Sequence, residues 1–331
     1  MTNVTAAAPP VVSVVVPTYR RPHMLTEVID CVRAQTFGDW ELVIVDDNGL
    51  GSTAQQETEA VVERFREDAR IVYVSHQRNA GACAARNTGL GRARGTFVAF
   101  LDDDDVWYPE KLERQVACFA SADPSVALVY GGWRYVFEDG TVELVMPTGS
   151  EHRPPALLQR NAIGSTSLVM CRRSALLAVD GFDETLPAMQ DFDLYIRLGL
   201  RYPFAFVDDV LIDYRRHAGP RITTDPQVVQ SANERFHAKH RHLFEADPGV
   251  HQQRLRAYAY DMLRVGQFAK ARRLYRSAWG VDRRNVHVLM LGLLVYEPLV
   301  ESYRRVKRWL RPSSRRRVKL PIGRTQDRRA S

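Results

Sequence analysis

The chain has 331 residues, of which 45% are hydrophobic, and its formal net charge is +7 at pH 7. This length suits one large domain with an appendage, and the hydrophobic fraction is typical of a globular protein with a sizeable core. No segment reaches the roughly 18 uninterrupted apolar residues that a membrane span needs, and the basic residues lack the interleaved aromatics of a nucleic-acid-binding surface.

The cysteines and the N-terminus indicate a reduced, cytoplasmic protein. Four cysteines are widely spaced, at Cys31, Cys83, Cys118 and Cys171. Neither a CxxC spacing nor nearby histidines suggest zinc, so reduced core thiols are the simplest interpretation. Residues 1–10 lack a basic stretch and contain two prolines, which favours a disordered segment over a signal peptide.

The first half of the chain alternates predicted strands with predicted helices. Val11 to Val16 is the first strand, and a helix with apolar residues at a helical period follows Pro22. The connecting turn contains no glycine. A dinucleotide-binding Rossmann fold would need G-x-G-x-x-G there, so the turn disfavours an NAD-dependent enzyme.

Two polar residues after the next strands are candidates for nucleotide binding. Asp47 follows the strand 41–45, where a carboxylate can accept a hydrogen bond from the N3–H of uracil. A local Asx turn is the alternative for Asp47. Arg86 lies in a small-residue helix after the strand 71–74, and its guanidinium suits a phosphate or a carboxylate. An ordinary ion pair is the alternative for Arg86.

A fourth apolar strand, Phe97 to Leu101, ends in four consecutive aspartates. Four adjacent carboxylates repel one another unless a cation or donors neutralise them. In extended backbone, residues two apart point the same way, so Asp102 and Asp104 are predicted to converge on Mg²⁺ or Mn²⁺. Asp105, and with it Asp103, is interpreted as a solvated turn that caps the following helix.

Four strand–helix units by residue 101 predict an α/β fold with a doubly wound, mostly parallel sheet. After Pro124 a β-hairpin is expected over 126–137 and 141–145. Further predicted strands cover 166–170, 204–207 and 210–214.

The segment QDFDLYIRLGL, residues 190–200, is predicted to be a helix with two unlike aspartates. Asp193 and Arg197 are four residues apart and are expected to pair along the surface. Asp191 points elsewhere and lies at the helix start. It is either a cap or a carboxylate presented to a cleft.

The chain is predicted to be helical from Asp225 onward, which divides it into a domain over 11–224, a helical region over 225–311 and a disordered basic tail over 312–331. In the last predicted helix, 286–310, the apolar run 288–296 is followed by arginines. An apolar run followed by arginines suits a peripheral anchor on the anionic cytoplasmic face of a membrane. A buried helix with a basic tail is the alternative. Liposome flotation would test the anchor.

Seven segments in a fixed order resemble glycosyltransferase family 2, over roughly residues 11 to 220. They are VVVPTY (14–19), ELVIVDD (41–47), NAGACAARNTG (79–89), FLDDDDVWYPEKL (100–112), GFDE (181–184), QDFDLYIR (190–197) and YRRH (214–217). The resemblance implies a GT-A fold and an inverting, metal-dependent transfer from a nucleotide sugar. The acceptor implied is a glycan or lipid-linked glycan in cell-surface polysaccharide synthesis.

The resemblance also implies roles for particular residues. Pro17, Tyr19 and Asp47 would hold the base, which is predicted to be the uracil of UDP. Asp102 and Asp104 would form a DxD motif on ribose and metal, with His217 as a later metal ligand. Asp191 would be the catalytic base.

Two other classes of protein remain possible from the residues alone. A nucleotidyltransferase should carry a glycine-rich loop after the first strand, and residues 17–22 have none. A non-catalytic glycan-binding or scaffold protein would not need Asp47, Asp102, Asp104 and Asp191 together.

Overall fold

The computed structural model describes residues 8–137, 141–149, 153–215, 225–285 and 316–319. The strands in these ranges are β1 (Val12–Thr18), β2 (Trp40–Asp46), β3 (Ile71–Ser75), β4 (Phe97–Phe100), β5 (Val106–Trp107), β6 (Leu128–Val136), β7 (Thr141–Val145), β8 (Met170–Arg172), β9 (Phe204–Arg215) and β10 (Arg316–Lys319). The α-helices are α1 (Pro22–Arg33), α2 (Thr53–Glu63), α3 (Ala82–Arg92), α4 (Lys111–Ser121), α5 (Ala156–Gln159), α6 (Arg173–Ala178), α7 (Gln190–Gly199), α8 (Pro226–Lys239), α9 (Arg241–Glu245), α10 (Pro248–Arg264) and α11 (Phe268–Val281).

One mixed sheet organises the molecule, in the order β10-β7-β6-β8-β4-β1-β2-β3. The half β3-β2-β1-β4 is parallel, as the strand–helix alternation predicts. β8 then runs antiparallel to both β4 and β6, and β9 lies parallel to β6. The predicted α/β class is confirmed.

Local sequence explains the parallel half. Pro22 stands in the first turn of α1, where its missing N–H costs nothing, and Ser52 caps α2 by accepting a hydrogen bond from the Gln55 N–H at 3.1 Å. Gly89 lets α3 approach β1 closely, since a Cβ there would lie 2.2 Å from the Val15 side chain. The apolar strands β1, β2 and β4 lie in the main core.

The structure corrects three predicted elements. Residues 166–168 form a 3₁₀ helix, and the strand begins only at Met170. The two strands expected over 204–214 are one strand, β9, whose register shifts opposite Gly131 and Gly132. Residues 316–319, expected to be disordered, form β10, which pairs with β7. The backbone groups along the outer edge of a strand such as β7 favour pairing with a further segment.

The C-terminal helices α8 to α11 confirm the predicted helical region as far as residue 281. Their apolar residues form one cluster among α8, α10 and α11, and a second cluster that includes Phe192 and Ile196 of α7. The helical region therefore packs directly on α7. Among the helices in the described ranges, none is long and apolar enough to cross a bilayer. The predicted helix 286–310 lies outside these ranges.

Candidate active site

The candidate site lies where the chain changes direction across the sheet. β1 and β4 are neighbours, although two strand–helix units separate them in the sequence. Open α/β sheets bind ligands at such a switch point, outside the carboxyl ends of the strands. Here Arg21, from the loop after β1, donates hydrogen bonds to the carboxylates of Asp103 and Asp104 at 2.9 Å each. This contact bridges the two loops that border the crevice.

The four aspartates after β4 form a turn rather than an extended segment. The Asp105 N–H donates a hydrogen bond to the Asp102 carbonyl oxygen at 3.1 Å. The extended backbone expected for these residues is therefore wrong. Both side chains are nevertheless accessible, with 26% of Asp102 and 25% of Asp104 exposed.

Asp103 and Asp105 are buried, which corrects the expectation of a solvated turn. Asp103 accepts hydrogen bonds from the Thr18 hydroxyl at 3.0 Å and from Arg21. Burial raises the pKa of Asp103 to about 6 in spite of the Arg21 charge. Asp105 does not cap α4, because that helix begins only at Lys111. Asp103 therefore ties the acidic loop to the end of β1.

Asp102 and Asp104 suit a divalent cation that completes its shell with water and phosphate oxygens. Their carboxylates are hard oxygen donors, and they face Arg86 and Arg21 respectively. Within the described ranges, no group of three or more His, Cys, Asp or Glu side chains is placed to hold a metal by itself. His217, the predicted third ligand, lies outside those ranges.

Asp47 holds the loop between β3 and α3. Its Oδ1 accepts hydrogen bonds from the Ala80 N–H at 2.7 Å and from His76 Nδ1 at 2.8 Å. Its Oδ2 accepts from the Gly81 N–H at 2.8 Å and from Asn79 Nδ2 at 2.9 Å. A carboxylate offers about four acceptor positions. The predicted contact of Asp47 with a base N–H disagrees with this geometry, because the loop already supplies four donors.

Arg86 connects the acidic loop to α7. Its Nη2 donates to Asp102 Oδ1 at 2.5 Å, and its Nη1 donates to Gln190 Oε1 at 3.1 Å. The guanidinium is buried and lies 5.5 Å from the centroid of the Phe182 ring. Since Gln190 begins α7, this bridge places Asp191 next to the acidic loop.

Asp191 lies in the first turn of α7 and is half-buried. Its Oδ1 accepts a hydrogen bond from the Phe192 N–H at 2.7 Å, and its Oδ2 accepts one from Asn161 Nδ2 at 2.8 Å. It is not the N-cap, which is Met189. Burial raises the pKa of Asp191 to about 6, although these hydrogen bonds and the Arg86 charge oppose the rise. A carboxylate with such a pKa is ionised at neutral pH and is a better proton acceptor than an ordinary aspartate.

Asp193 is fully buried, which corrects the expected surface location of its ion pair. The predicted partner Arg197 donates to Asp193 Oδ2 at 2.8 Å through Nε. Lys239 Nζ and His240 Nε2 lie 2.7 and 2.8 Å from Asp193 Oδ1. Lys239 and His240 stand at the end of α8, so Asp193 ties α7 to the C-terminal helices.

Pro17 and Tyr19 lie at the carboxyl end of β1, as predicted. Tyr19 is 40% exposed, and the Arg20 guanidinium lies 5.0 Å from the centroid of its ring. Arg20 has a left-handed backbone, with φ of 56°, and its N–H donates to Asn48 Oδ1 at 2.7 Å. This bond joins the loops after β1 and β2. The exposed ring of Tyr19 lies between Thr18 and Arg20, at the edge of the crevice.

The sequence profile described as "Glycosyl transferase family 2" matches residues 13–186, which is more than half of the chain. The chain belongs to glycosyltransferase family 2. The resemblance of the seven segments to this family is therefore confirmed. The matched range includes Asp47, Arg86 and the four aspartates but ends before Asp191.

Two relatives show how far the sequence similarity extends. An uncharacterized glycosyltransferase of Rickettsia felis is 30% identical over 215 residues, which are 63% of this chain and 35% of that protein. The chain thus spans about a third of that relative's length. The Escherichia coli protein WfgD, named UDP-Glc:alpha-D-GlcNAc-diphosphoundecaprenol beta-1,3-glucosyltransferase, is 32% identical over 162 residues, which are 49% of this chain and 60% of WfgD.

Two solved structures share the fold. TarS of S. aureus, residues 1–349 in complex with UDP-GlcNAc, has a TM-score of 0.57 at 19% identity, covering 89% of this chain and 92% of that one. The mannosyltransferase PcManGT from Pyrobaculum calidifontis, in complex with GDP-Man and Mn²⁺, has a TM-score of 0.58 at 21% identity, covering 89% and 83%. The predicted GT-A fold is confirmed by these likenesses.

Sequence reasoning missed two residues of the site. The sequence places Arg21 only in the turn 17–22, although a cation after the first strand, with an acidic loop after a neighbouring strand, is a usable signal. Asn161, which donates to Asp191, belongs to the segment 146–165, where no motif is recognisable. Its role depends on how that loop returns to α7.

Proposed function

We propose that this protein is an inverting, metal-dependent glycosyltransferase that moves a sugar from a UDP-linked donor to a hydroxyl of a glycan or lipid-linked glycan. The observation that carries the proposal is the Arg86 bridge between Asp102 and Gln190. It brings a carboxylate suited to metal and ribose next to a carboxylate suited to general-base catalysis. A scaffold protein would not need that juxtaposition.

On the donor side, Asp102 and Asp104 would hold Mn²⁺ or Mg²⁺ against the diphosphate. Such a cation stabilises the charge that develops on the leaving diphosphate. Arg21 and Arg86, which pair with these carboxylates in the structure, would also meet phosphate oxygens of the donor. The chain therefore offers both signs of charge at the place where a diphosphate would leave.

The nucleoside would lie at the carboxyl end of β1. The exposed ring of Tyr19 suits stacking on a base, and Pro17 precedes it in the same segment. Asp47 would contribute through the loop 79–81 that it holds. UDP is supported by the names of WfgD and of the TarS complex, whereas the GDP-Man complex of PcManGT supports the rival nucleotide.

On the acceptor side, Asp191 would take the proton of the attacking hydroxyl. A hydroxyl is a poor nucleophile until a positioned base accepts its proton, and the raised pKa of Asp191 suits that task. Direct attack from the face opposite the leaving diphosphate inverts the anomeric centre. The name of WfgD, which includes a diphosphoundecaprenol, supports a lipid-linked acceptor.

A panel of nucleotide sugars tests the proposal. The purified protein is incubated with UDP-, GDP- and dTDP-sugars in Mn²⁺, in Mg²⁺ or in excess chelator, and donor hydrolysis and thermal shift are recorded. We expect hydrolysis of a UDP-sugar with either metal and loss of activity in chelator and in Asp104→Ala. Tighter binding of GDP than UDP would contradict the donor assignment, and full activity in chelator would contradict the metal assignment.

A further inference from the structure

The loop between α5 and the 3₁₀ helix, residues 160–165, delivers one side chain to Asp191. Asn161 Nδ2 donates hydrogen bonds to Asp191 Oδ2 at 2.8 Å and to the Gly164 carbonyl oxygen at 3.1 Å. Asn161 Oδ1 accepts one from the Gly164 N–H at 3.0 Å. If the Asn161 amide were rotated by 180°, its oxygen would face the Asp191 carboxylate and the Gly164 carbonyl oxygen, which are both acceptors. Its NH₂ group would face the Gly164 N–H, which is a donor. The two bonds to Gly164 therefore fix the N–H face of Asn161 toward Asp191.

The loop that carries Asn161 is itself fixed. Gly164 has a φ of +100°, and a Cβ there would lie 2.5 Å from the Leu168 side chain, so any other residue would be strained at this position. Ile163 is fully buried in the main core. The Ser165 N–H donates to the Tyr214 hydroxyl at 3.1 Å, which anchors the loop to β9.

The C-terminal helices contact the residue just before this loop through Arg254 of α10. Its Nη1 donates to the Gln159 carbonyl oxygen at 3.3 Å, two residues before Asn161. The Arg254 guanidinium is buried, and its Cζ lies 4.9 to 5.4 Å from the centroids of three phenylalanine rings, those of Phe192, Phe236 and Phe244. A planar cation held among three rings has little freedom to move. Gln159 is thus held from outside the loop.

We propose that Asn161 is a positioning residue for Asp191, holding Oδ2 so that the remaining lone pairs of the carboxylate face the acceptor hydroxyl in the crevice. The inference rests on the proposed function, in which Asp191 is the base. Each Asp191 oxygen accepts one hydrogen bond from the described residues, Oδ1 from Phe192 and Oδ2 from Asn161. Rotation of the carboxylate would break both bonds. The acceptor therefore meets a carboxylate of defined orientation, as general-base catalysis requires.

The charges around Asp191 give the expected pH behaviour. Arg86 lowers the pKa of Asp191, Asp102 raises it, and the donors Phe192 and Asn161 lower it. Removing the Asn161 donor should therefore raise the pKa of Asp191 further. Because the base must be ionised to act, the acid limb of the kcat profile should move to higher pH.

The test uses Asn161→Asp and Asn161→Ala in the whole 331-residue chain. Asn161→Asp keeps the shape and the bond accepted from Gly164 but replaces the donor with an oxygen that repels Asp191. We expect kcat to fall about 10- to 100-fold and the acid limb to rise by about one pH unit or more. Asn161→Ala should show a smaller shift in the same direction. The Kd for UDP should stay at the wild-type value in both variants.

Ser165→Ala is the matched control, because Ser165 Oγ accepts a hydrogen bond from the Ser167 N–H at 3.2 Å in the same loop without touching Asp191. Its pH profile should match that of the wild type. Thermal melting of each variant separates loss of fold from loss of positioning, and Asn161→Ala serves if Asn161→Asp does not fold. If Asp191→Asn is inactive but the Asn161 variants keep the wild-type kcat and pH profile, the positioning role of Asn161 is wrong and the proposed base stands. An active Asp191→Asn would instead overturn the proposed base.

Discussion

Lys111 places an amine in the interior of the sheet domain. It is fully buried, its Nζ donates to Gln115 Oε1 at 2.6 Å, and the nitrogen lies 4.0 Å from the centroid of the Trp107 ring. Burial lowers the pKa of Lys111 from its ordinary value of 10.5 to about 7. The sequence predicts a helix after the four aspartates, but nothing in it indicates that Lys111 points inward.

A stability measurement tests this amine. Between about pH 7 and pH 10, the unfolded chain keeps a proton on Lys111 that the folded chain has lost, so stability should rise with pH in this window. Relative to Lys111→Met, the wild type should gain up to about 1.4 kcal/mol of unfolding free energy per pH unit. Urea unfolding at pH 7, 8 and 9 measures the difference. A pH-independent difference would show that Lys111 titrates normally.

The spacing of Asp193 and Arg197 predicts an exposed pair, and such pairs contribute only a few tenths of a kcal/mol. The burial of Asp193 reverses that expectation. Asp193→Asn would leave the Arg197 and Lys239 cations and the His240 imidazole without their shared carboxylate. We expect a loss of about 3 to 5 kcal/mol of unfolding free energy at neutral pH. Arg33→Gln, at a partly exposed pair with Asp30, is the control and should cost under about 1 kcal/mol.

The pH dependence of the Asp193 effect has a defined sign. Burial alone would raise the pKa of Asp193, but hydrogen bonds from His240, Lys239 and Arg197 lower it to about 2. This stabilisation is present above the unfolded pKa of roughly 4 and is lost as pH falls toward 2. The gap between wild type and Asp193→Asn should narrow over that window. A constant gap would contradict the lowered pKa.

At the scale of elements, the loop 79–81 depends on Asp47 of the neighbouring strand connection. In Asp47→Asn, an NH₂ group would face N–H donors now bound by a carboxylate oxygen. We expect the amides of residues 79–81 to exchange hydrogen faster and the affinity for UDP to fall about tenfold, near the effect of one charge-assisted hydrogen bond. Asp123→Asn, in an exposed turn with Ser125, is the control. Unchanged exchange at 79–81 would show that Asp47 does not hold this loop.

Strands and helices with a clear hydrophobic periodicity can be predicted from the sequence. Elements whose structure depends on tertiary contacts cannot. The apolar runs of β1, β2 and β4 and the spacing of α7 each specify a single type of structure. The run TSLVM does not, because a short apolar segment fits a strand or a 3₁₀ turn equally well. The sequence predicts two strands separated by Asp208 and Asp209, because sequence alone does not show that a register shift opposite Gly131 and Gly132 accommodates these two residues in one strand, β9.

The site residues also divide into those whose positions the sequence predicts and those whose positions depend on tertiary contacts. The positions of Asp102 and Asp191 at the crevice follow from strand ends and a helix start, which the sequence shows. The four donors around Asp47 and the contact of Asn161 with Asp191 come from loops that meet only in three dimensions. No periodicity or spacing marks them.

For the whole molecule, the central feature is that α7 is held from three sides. Arg86 joins it to the acidic loop, Asn161 joins it to the loop before the 3₁₀ helix, and Asp193 joins it to α8. The family profile ends at residue 186, before α7 begins. The C-terminal helices therefore support the proposed base from outside the matched range.

Asp191→Asn is the measurement that tests the account most directly. The isosteric change removes the proton-accepting carboxylate while keeping an oxygen near Phe192 and a group near Asn161. We predict that kcat falls about 10²- to 10⁴-fold, while the Kd for UDP, measured by calorimetry with Mn²⁺, remains at the wild-type value. A kcat within a few fold of the wild type would contradict the assignment of Asp191 as the base.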